Sequence, residues 1–345
     1  MRNVETMLAA VAMGFLCLLS QDVQAQSEAT GTFGAIERLD DRLDALLADD
    51  AEIEILAEGF RWSEGPVWVS DGGYVLLSDI PRNTIYRWKE GAGLSVFMQP
   101  SGFTGEADGG REPGSNGLAI DAEGHLVLCE HGDRRVSRLV SLDEPNGEKV
   151  TLADRYDGKR FNSPNDLAIH SNGAIYFTDP PYGLARGIND PSRELDFHGV
   201  YRIDPDGTVT LLTKEIDRPN GIAFSPDQKT LYVANSDRNR AIWMAYDVQD
   251  DGSIANGRVF FDATELATDD RPGSPDGLKV DQHGNLFATG PGGVLIISPD
   301  GTHLGTILTG RPTANCAFGE DGSTLYITAN QHLIRLRTTT TGTGF

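Results

Sequence analysis

Cysteine is scarce in this chain. Of three among 345 residues, Cys17 lies in an apolar stretch near the start, which leaves Cys129 and Cys316 for the body of the protein. Two thiols in distant segments exclude a disulfide framework as the source of stability, and two buried free thiols are expected. Basic residues are also few: 29 Lys and Arg against 51 Asp and Glu give a net charge of −22. Without a basic patch the chain has no electrostatic footprint for nucleic acid. Past the first 25 residues no apolar run approaches the roughly 20 residues that a membrane helix needs. Also missing are a G-x-S-x-G elbow, an H-E-x-x-H helix, a P-loop and a dinucleotide fingerprint, which removes the usual sequence support for serine-hydrolase, zinc-helix and nucleotide-dependent chemistry.

What the N-terminus does have is Arg2, an apolar run from Met7 to Leu19 and the small-residue pattern Val23-Gln24-Ala25. Residues 1–25 therefore read as a secretory signal, cleaved after Ala25, and the protein as exported, to the periplasm or beyond. Cleavage leaves 345 − 25 = 320 residues with no internal linker, enough for one large domain.

One peptide pattern recurs six times. It reads SEGPVW around Glu64, GSNGLAID around Asn116, SPNDLAIH around Asn165, RPNGIAFS around Asn220, SPDGLKVD around Asp276 and TANCAFG around Asn315. By subtraction the spacings are 52, 49, 55, 56 and 39 residues, about the period of a propeller blade. After each mark comes a short apolar strand, a tight turn such as Ala122-Glu123-Gly124 or Ser171-Asn172-Gly173, and a second apolar strand. That is hairpin chemistry. The predicted fold is all-β: a six-bladed propeller over residues 51–337 with four antiparallel strands per blade. A strand at Glu52 to Ala57 should close the ring beside His332 to Arg337, because an open sheet edge is a liability. Apolar residues at helical spacing from Ile36 to Leu47 predict a helix in an extension over 26–50, and residues 338–345 are expected to fray.

If each marked residue opens an inner strand, six oxygen-bearing side chains converge at one mouth of the channel. Such a ring suits a hard divalent cation such as calcium. The long Gly-rich segment from Gln99 to Ser115 falls at the same mouth and could cover a ligand.

The phrases FRWSEGPVW, REPGSNGLAID, LCEHGDRRV, RFNSPNDLAIH, YFTDPPYG, RPNGIAFS and SPDGLKVD together resemble the gluconolactonase, senescence-marker-protein and luciferin-regenerating-enzyme family, over nearly all of the chain after about residue 50. The resemblance implies one divalent cation on the propeller axis, held by Glu64, Asn165, Asn220 and Asp276; calcium is expected, and zinc, manganese or magnesium are acceptable alternatives. Asn116 and Asn315 do not match the family's ligands and read as strand or turn caps. The implied activity is hydrolysis of a small sugar lactone such as glucono-1,5-lactone, with Asp276 as both ligand and general base. His131, Arg160, Asn162, Asp179 and Tyr182 are candidate substrate contacts, His131 equally readable as a structural group. A phosphotriesterase-like hydrolase and a non-catalytic propeller stabilised by its ion are the rival readings, and no obligate protein partner is evident.

Overall fold

Asp121 shows why these sequences make hairpins. Its carboxylate accepts the backbone N–H groups of Glu123 and His125 at 3.1 and 2.8 Å, and Gly124 takes the positive φ of 84° that reverses the chain. The same device recurs at Asp281, which accepts from His283 and Asn285. In a computed structural model of the protein, which describes residues 33–106 and 110–345, these hairpins assemble into six antiparallel sheets arranged as blades. The predicted signal segment lies outside the described residues. No described helix is long and apolar enough to cross a membrane.

Blade 1 comprises Ser63–Val69, Tyr74–Asp79, Thr84–Lys89 and Gly93–Met98. Blade 2 runs from Ser115–Ile120 through Leu126–Glu130 and Arg135–Leu139 to Lys149–Ala153, and blade 3 from Leu167–Ile169 through Ile175–Asp179 and Gly199–Ile203 to Val209–Thr213. Blade 4 holds the longest strands, Thr230–Asp237, Arg240–Val248 and Ile254–Asp262, outside Pro219–Phe224. Blade 5 is Leu278–Val280, Leu286–Gly290, Gly293–Ile297 and His303–Leu308; blade 6 is Asn315–Gly319, Thr324–Ala329 and His332–Arg337. The fourth strand of blade 6 is Glu54–Glu58, pairing antiparallel with His332–Arg337. The ring is thus closed by the two ends of the chain, as the sequence predicts.

The core lies in the seams between blades. Val127 and Cys129 of blade 2 bury against Phe177 and Tyr201 of blade 3; Trp243 of blade 4 meets Leu295 of blade 5; Phe60, Leu77 and Trp88 meet Tyr326 and Leu333 where blade 6 returns to blade 1. Sheets packed face to face bury both faces, leaving the axis to polar side chains. Cys129 and Cys316 are buried and free, as expected.

Two expectations fail. The segment predicted as a helix over 36–47 forms a strand, Ala35–Arg38, paired with His303–Leu308 as a fifth strand of blade 5, followed by a short 3-10 turn at Asp41–Ala45. The helical spacing arises because Leu43, Leu46 and Leu47 all drop into the seam of blades 5 and 6, and the open edge of blade 5 captures the residues before them. The tail does not fray either: Thr338 and Thr340 are buried, and Thr343 N–H donates to the Val280 carbonyl at 3.0 Å.

Candidate active site

Four of the six repeat marks are followed by glycine, and the packing at the axis explains why. A Cβ on Gly65 would sit 2.0 Å from the Asn116 carbonyl oxygen, and one on Gly221 would sit 2.1 Å from the Asp276 carbonyl oxygen. At these two positions the neighbouring inner strand approaches so closely that only glycine fits. Hydroxyls lock the ring from blade to blade: Ser78 donates to the Asn116 carbonyl at 2.9 Å and Thr178 to the Asn220 carbonyl at 2.7 Å. Gly117 N–H donates to the Asn165 carbonyl at 2.7 Å.

This framework brings Glu64, Asn165, Asn220 and Asp276 onto one cavity of about 300 Å³, a size suited to a small ligand. Glu64, Asn165 and Asn220 are buried, while Asp276 keeps some exposure to the cavity. Burial lifts the Glu64 carboxyl to about 8, helped by the charge of Asp166. Burial likewise lifts Asp276 well above the usual carboxylate range, with Glu64, Asp166 and Glu112 adding repulsion. Asp276 Oδ1 is buried with no hydrogen-bond partner among the described residues. Two repelling carboxylates, two neutral amides and an orphaned carboxylate oxygen are a donor set that a hard dication would complete.

Asn116 departs from the capping role expected of it. It lines the cavity, its Nδ2 donates to His131 Nε2 at 3.3 Å, and its Oδ1 is buried without a partner. An amide nitrogen can only donate, so His131 accepts at Nε2 and carries its proton on Nδ1, 3.9 Å from the Glu112 carboxylate.

Of the five candidate substrate contacts only Tyr182 lines the cavity; its hydroxyl is buried without a hydrogen-bond partner. His131 is fully buried behind Asn116, and burial drops it to about 4, so it is neutral at physiological pH. Arg160 is turned away to donate to the Asp133 carbonyl at 2.7 Å. Asp179 and Asn162 have 0% exposure and face each other: Asp179 accepts the N–H groups of Asn162 and Ser163 at 2.8 and 2.7 Å, and Asn162 Nδ2 donates back at 3.1 Å. These carboxylate bonds brace the turn that presents Asn165. Asp79 does the same for Glu64, accepting from Arg61 and Trp62 N–H, and Asn235 for Asn220, accepting from Arg218 N–H at 3.0 Å.

The profile of the SMP-30/Gluconolactonase/LRE-like region matches residues 62–331. The chain belongs to that family. Among SMP-30/gluconolactonase/LRE-like proteins it is 42% identical over 317 residues to a gluconolactonase of Zymomonas mobilis, covering 90% of this chain and 88% of the relative. A pentonolactonase of Haloferax volcanii is 28% identical over 279 residues, covering 78% and 81%. The solved structure of a gluconolactonase from Xanthomonas campestris superposes with a TM-score of 0.75 at 34% identity, over 89% of this chain and 97% of that one.

Several cavity residues carry no repeat signal. Glu112, from the long segment before blade 2, lines the mouth with Trp62, Ser236 and Arg238. Arg238 donates to the Gly273 carbonyl at 2.7 Å and so holds the loop leading to Asp276 from the neighbouring blade. Asn83 anchors the long segment, its Oδ1 accepting from Ser101, Gly102 and Phe103 N–H. A second acidic group, Asp121, Glu123 and His125, sits on the blade 2 hairpin; Arg138 and His125 already engage the Asp121 carboxylate at 3.1 and 3.2 Å.

Proposed function

We propose that this protein is a gluconolactonase-type hydrolase that opens small sugar lactones, with Glu64, Asn165, Asn220 and Asp276 holding one divalent cation, calcium first among the candidates. The observation that carries this reading is the convergence of those four side chains, two of them mutually repelling carboxylates, on one small cavity. It is supported by a gluconolactonase relative 42% identical over 90% of the chain.

Bound there, the cation would supply Lewis acidity toward the lactone carbonyl. Everything else falls to the chain. Asp276, with an unpartnered Oδ1 facing the cavity, takes the proton of the attacking water as the new C–O bond forms. As the ring C–O bond breaks, the protonated carboxyl returns that proton to the departing ring oxygen, leaving a hydroxy acid that ionises and releases one proton. Trp62 and Tyr182 supply an apolar wall and a hydroxyl against which a polyol ring can be held. The Asn116 amide, fixed through Nδ2 by neutral His131, keeps a buried, unpaired oxygen in a residue that lines the cavity. With a signal at residues 1–25, the enzyme would act on lactones outside the cytoplasm.

The test follows proton release from glucono-1,5-lactone above the spontaneous rate, before and after chelation and with calcium, zinc, manganese or magnesium restored. Asp276→Asn should lose at least about 100-fold in kcat. Full turnover in that variant would remove Asp276 from the base role, and no acceleration with any ion would overturn the lactonase reading.

A further inference from the structure

Beneath the cavity lies a charged layer that the hydrolysis does not use. The position after the repeat mark is glycine in four repeats, Cys316 in the sixth and Asp166 in the third. Asp166 is 3% exposed. Its Oδ1 accepts the Leu167 N–H at 2.9 Å and its Oδ2 accepts Asn315 Nδ2 at 3.3 Å. On the other side of that amide, Asn315 Oδ1 accepts from Cys316 N–H at 2.9 Å and from Lys279 Nζ at 3.4 Å. Lys279 Nζ also donates to its neighbour's carbonyl, Leu278, at 3.0 Å. A lysine of blade 5, an amide of blade 6 and a carboxylate of blade 3 thus form one chain across the channel. Lys279 enters it from the opposite mouth, an apolar hollow lined by Trp68, Ile169, Phe224 and Phe318, where it is the one charged side chain among the described residues.

The charges add up in a particular way. Glu64, Asp276 and Asp166 each repel one another through the channel; burial raises the Asp166 carboxyl, and the Lys279 ammonium is the largest of the influences that oppose that rise. Ionised, Glu64, Asp276, Asp166 and Glu112 with Lys279 and the cavity-lining Arg238 sum to −4 + 2 = −2, the charge one dication neutralises. Removing the ammonium leaves −3, which attracts a dication more strongly but is harder to hold when no cation is bound.

We propose that Lys279, held against Asp166 through Asn315, is a positioning residue of charge: it weakens the hold of the axial site on its divalent cation and steadies the protein when that cation is absent. The inference rests on the cation reading above and adds a determinant of affinity outside the four candidate ligands.

The experiment is calorimetric titration of calcium into the purified protein at pH 9, above the raised range of Glu64, paired with melting of the chelated protein. Lys279→Met should bind calcium about tenfold more tightly than wild type, while its chelated form melts at a lower temperature. Lys279→Arg keeps the charge and should stay near wild type. Asp166→Asn should bind about tenfold more weakly, and the double variant should return toward the wild-type affinity. The sign separates this role from mere packing, because a structural lesion loosens a metal site. Wild type that binds calcium while Lys279→Met binds it equally or more weakly overturns this inference alone. Wild type that binds none of calcium, zinc, manganese or magnesium overturns the cation reading, and this inference with it. Should Lys279→Met not fold, Lys279→Gln decides by the same sign: binding of calcium equal to or weaker than wild type overturns the proposal.

Discussion

Glu64 carries a pH dependence set by its burial among other acids. Burial raises its carboxyl from 4.5 to about 8. Below about pH 4.5 folded and unfolded chains are both protonated there, so the group contributes no difference. Between about 4.5 and 8 only the folded chain keeps the proton, and stability is lost as pH rises until the folded pKa is passed. Asp276, also raised, acts in the same direction. The chelated protein should therefore melt at a lower temperature at pH 8 than at pH 5. Added calcium should raise the melting temperature more at pH 8, since a dication replaces the protons that the acids otherwise need. Scanning calorimetry with and without chelator checks both; a chelated protein equally stable at the two pH values would mean that neither acid is held protonated by the fold.

At the scale of strands and turns, each of blades 1, 3 and 4 ends its second strand with or close to a side chain that accepts amide protons from the turn before that blade's own candidate ligand: Asp79, Asp179 and Asn235. Asp179→Ala would strand the N–H groups of Asn162 and Ser163, both fully buried from bulk solvent. Unfolding by urea should show a loss of about 3 kcal/mol or more, and calcium affinity should fall with it as Asn165 loses its support. A loss within about 0.5 kcal/mol would mean that the turn stands without its brace. This brace also marks where the sequence stops being legible. The six repeats can be read because local rules write them: Gly65 and Gly221 are forced by the crowding of inner strands, and the hairpins by Asx turns such as Asp121, whereas the choice of Glu64, Asn165, Asn220 and Asp276 among the six marks comes from the family resemblance. Asp179 and Asn162 look like polyol contacts in sequence because nothing local says that their polar groups are turned on each other. Glu112, Trp62 and Arg238 come from loops with no period. Between Ile36 and Leu47 the apolar spacing is real, but the free edge of blade 5 overrides the helix it suggests.

For the whole molecule the problem is closure. Six seams make a stable ring only if the last is fastened, and this chain adds a second tie across the seam before it. Glu54–Glu58 completes blade 6, and the C-terminal tail then crosses beneath blades 5 and 6. Thr338 N–H donates to the Ser323 carbonyl at 2.7 Å and Thr339 N–H to that of Leu46 at 2.9 Å. Thr340 Oγ1 donates to Asp281 Oδ2 at 2.8 Å, Gln282 N–H to the Thr341 carbonyl and Gly342 N–H to the Gly322 carbonyl. Thr343 grips the Val280 carbonyl with both its N–H and its hydroxyl, at 3.0 and 2.8 Å. The strand so gripped, Leu278–Val280, is three residues long and begins two residues after Asp276. Deleting residues 338–345 should lower the melting temperature by about 5 °C or more, because a run of buried hydrogen bonds at the seam is lost together. Calcium affinity should fall as well, since the blade that carries Asp276 loses its outer tie. If the truncated protein melts with the full chain and binds calcium equally well, Glu54–Glu58 alone closes the ring and the tail only follows its surface.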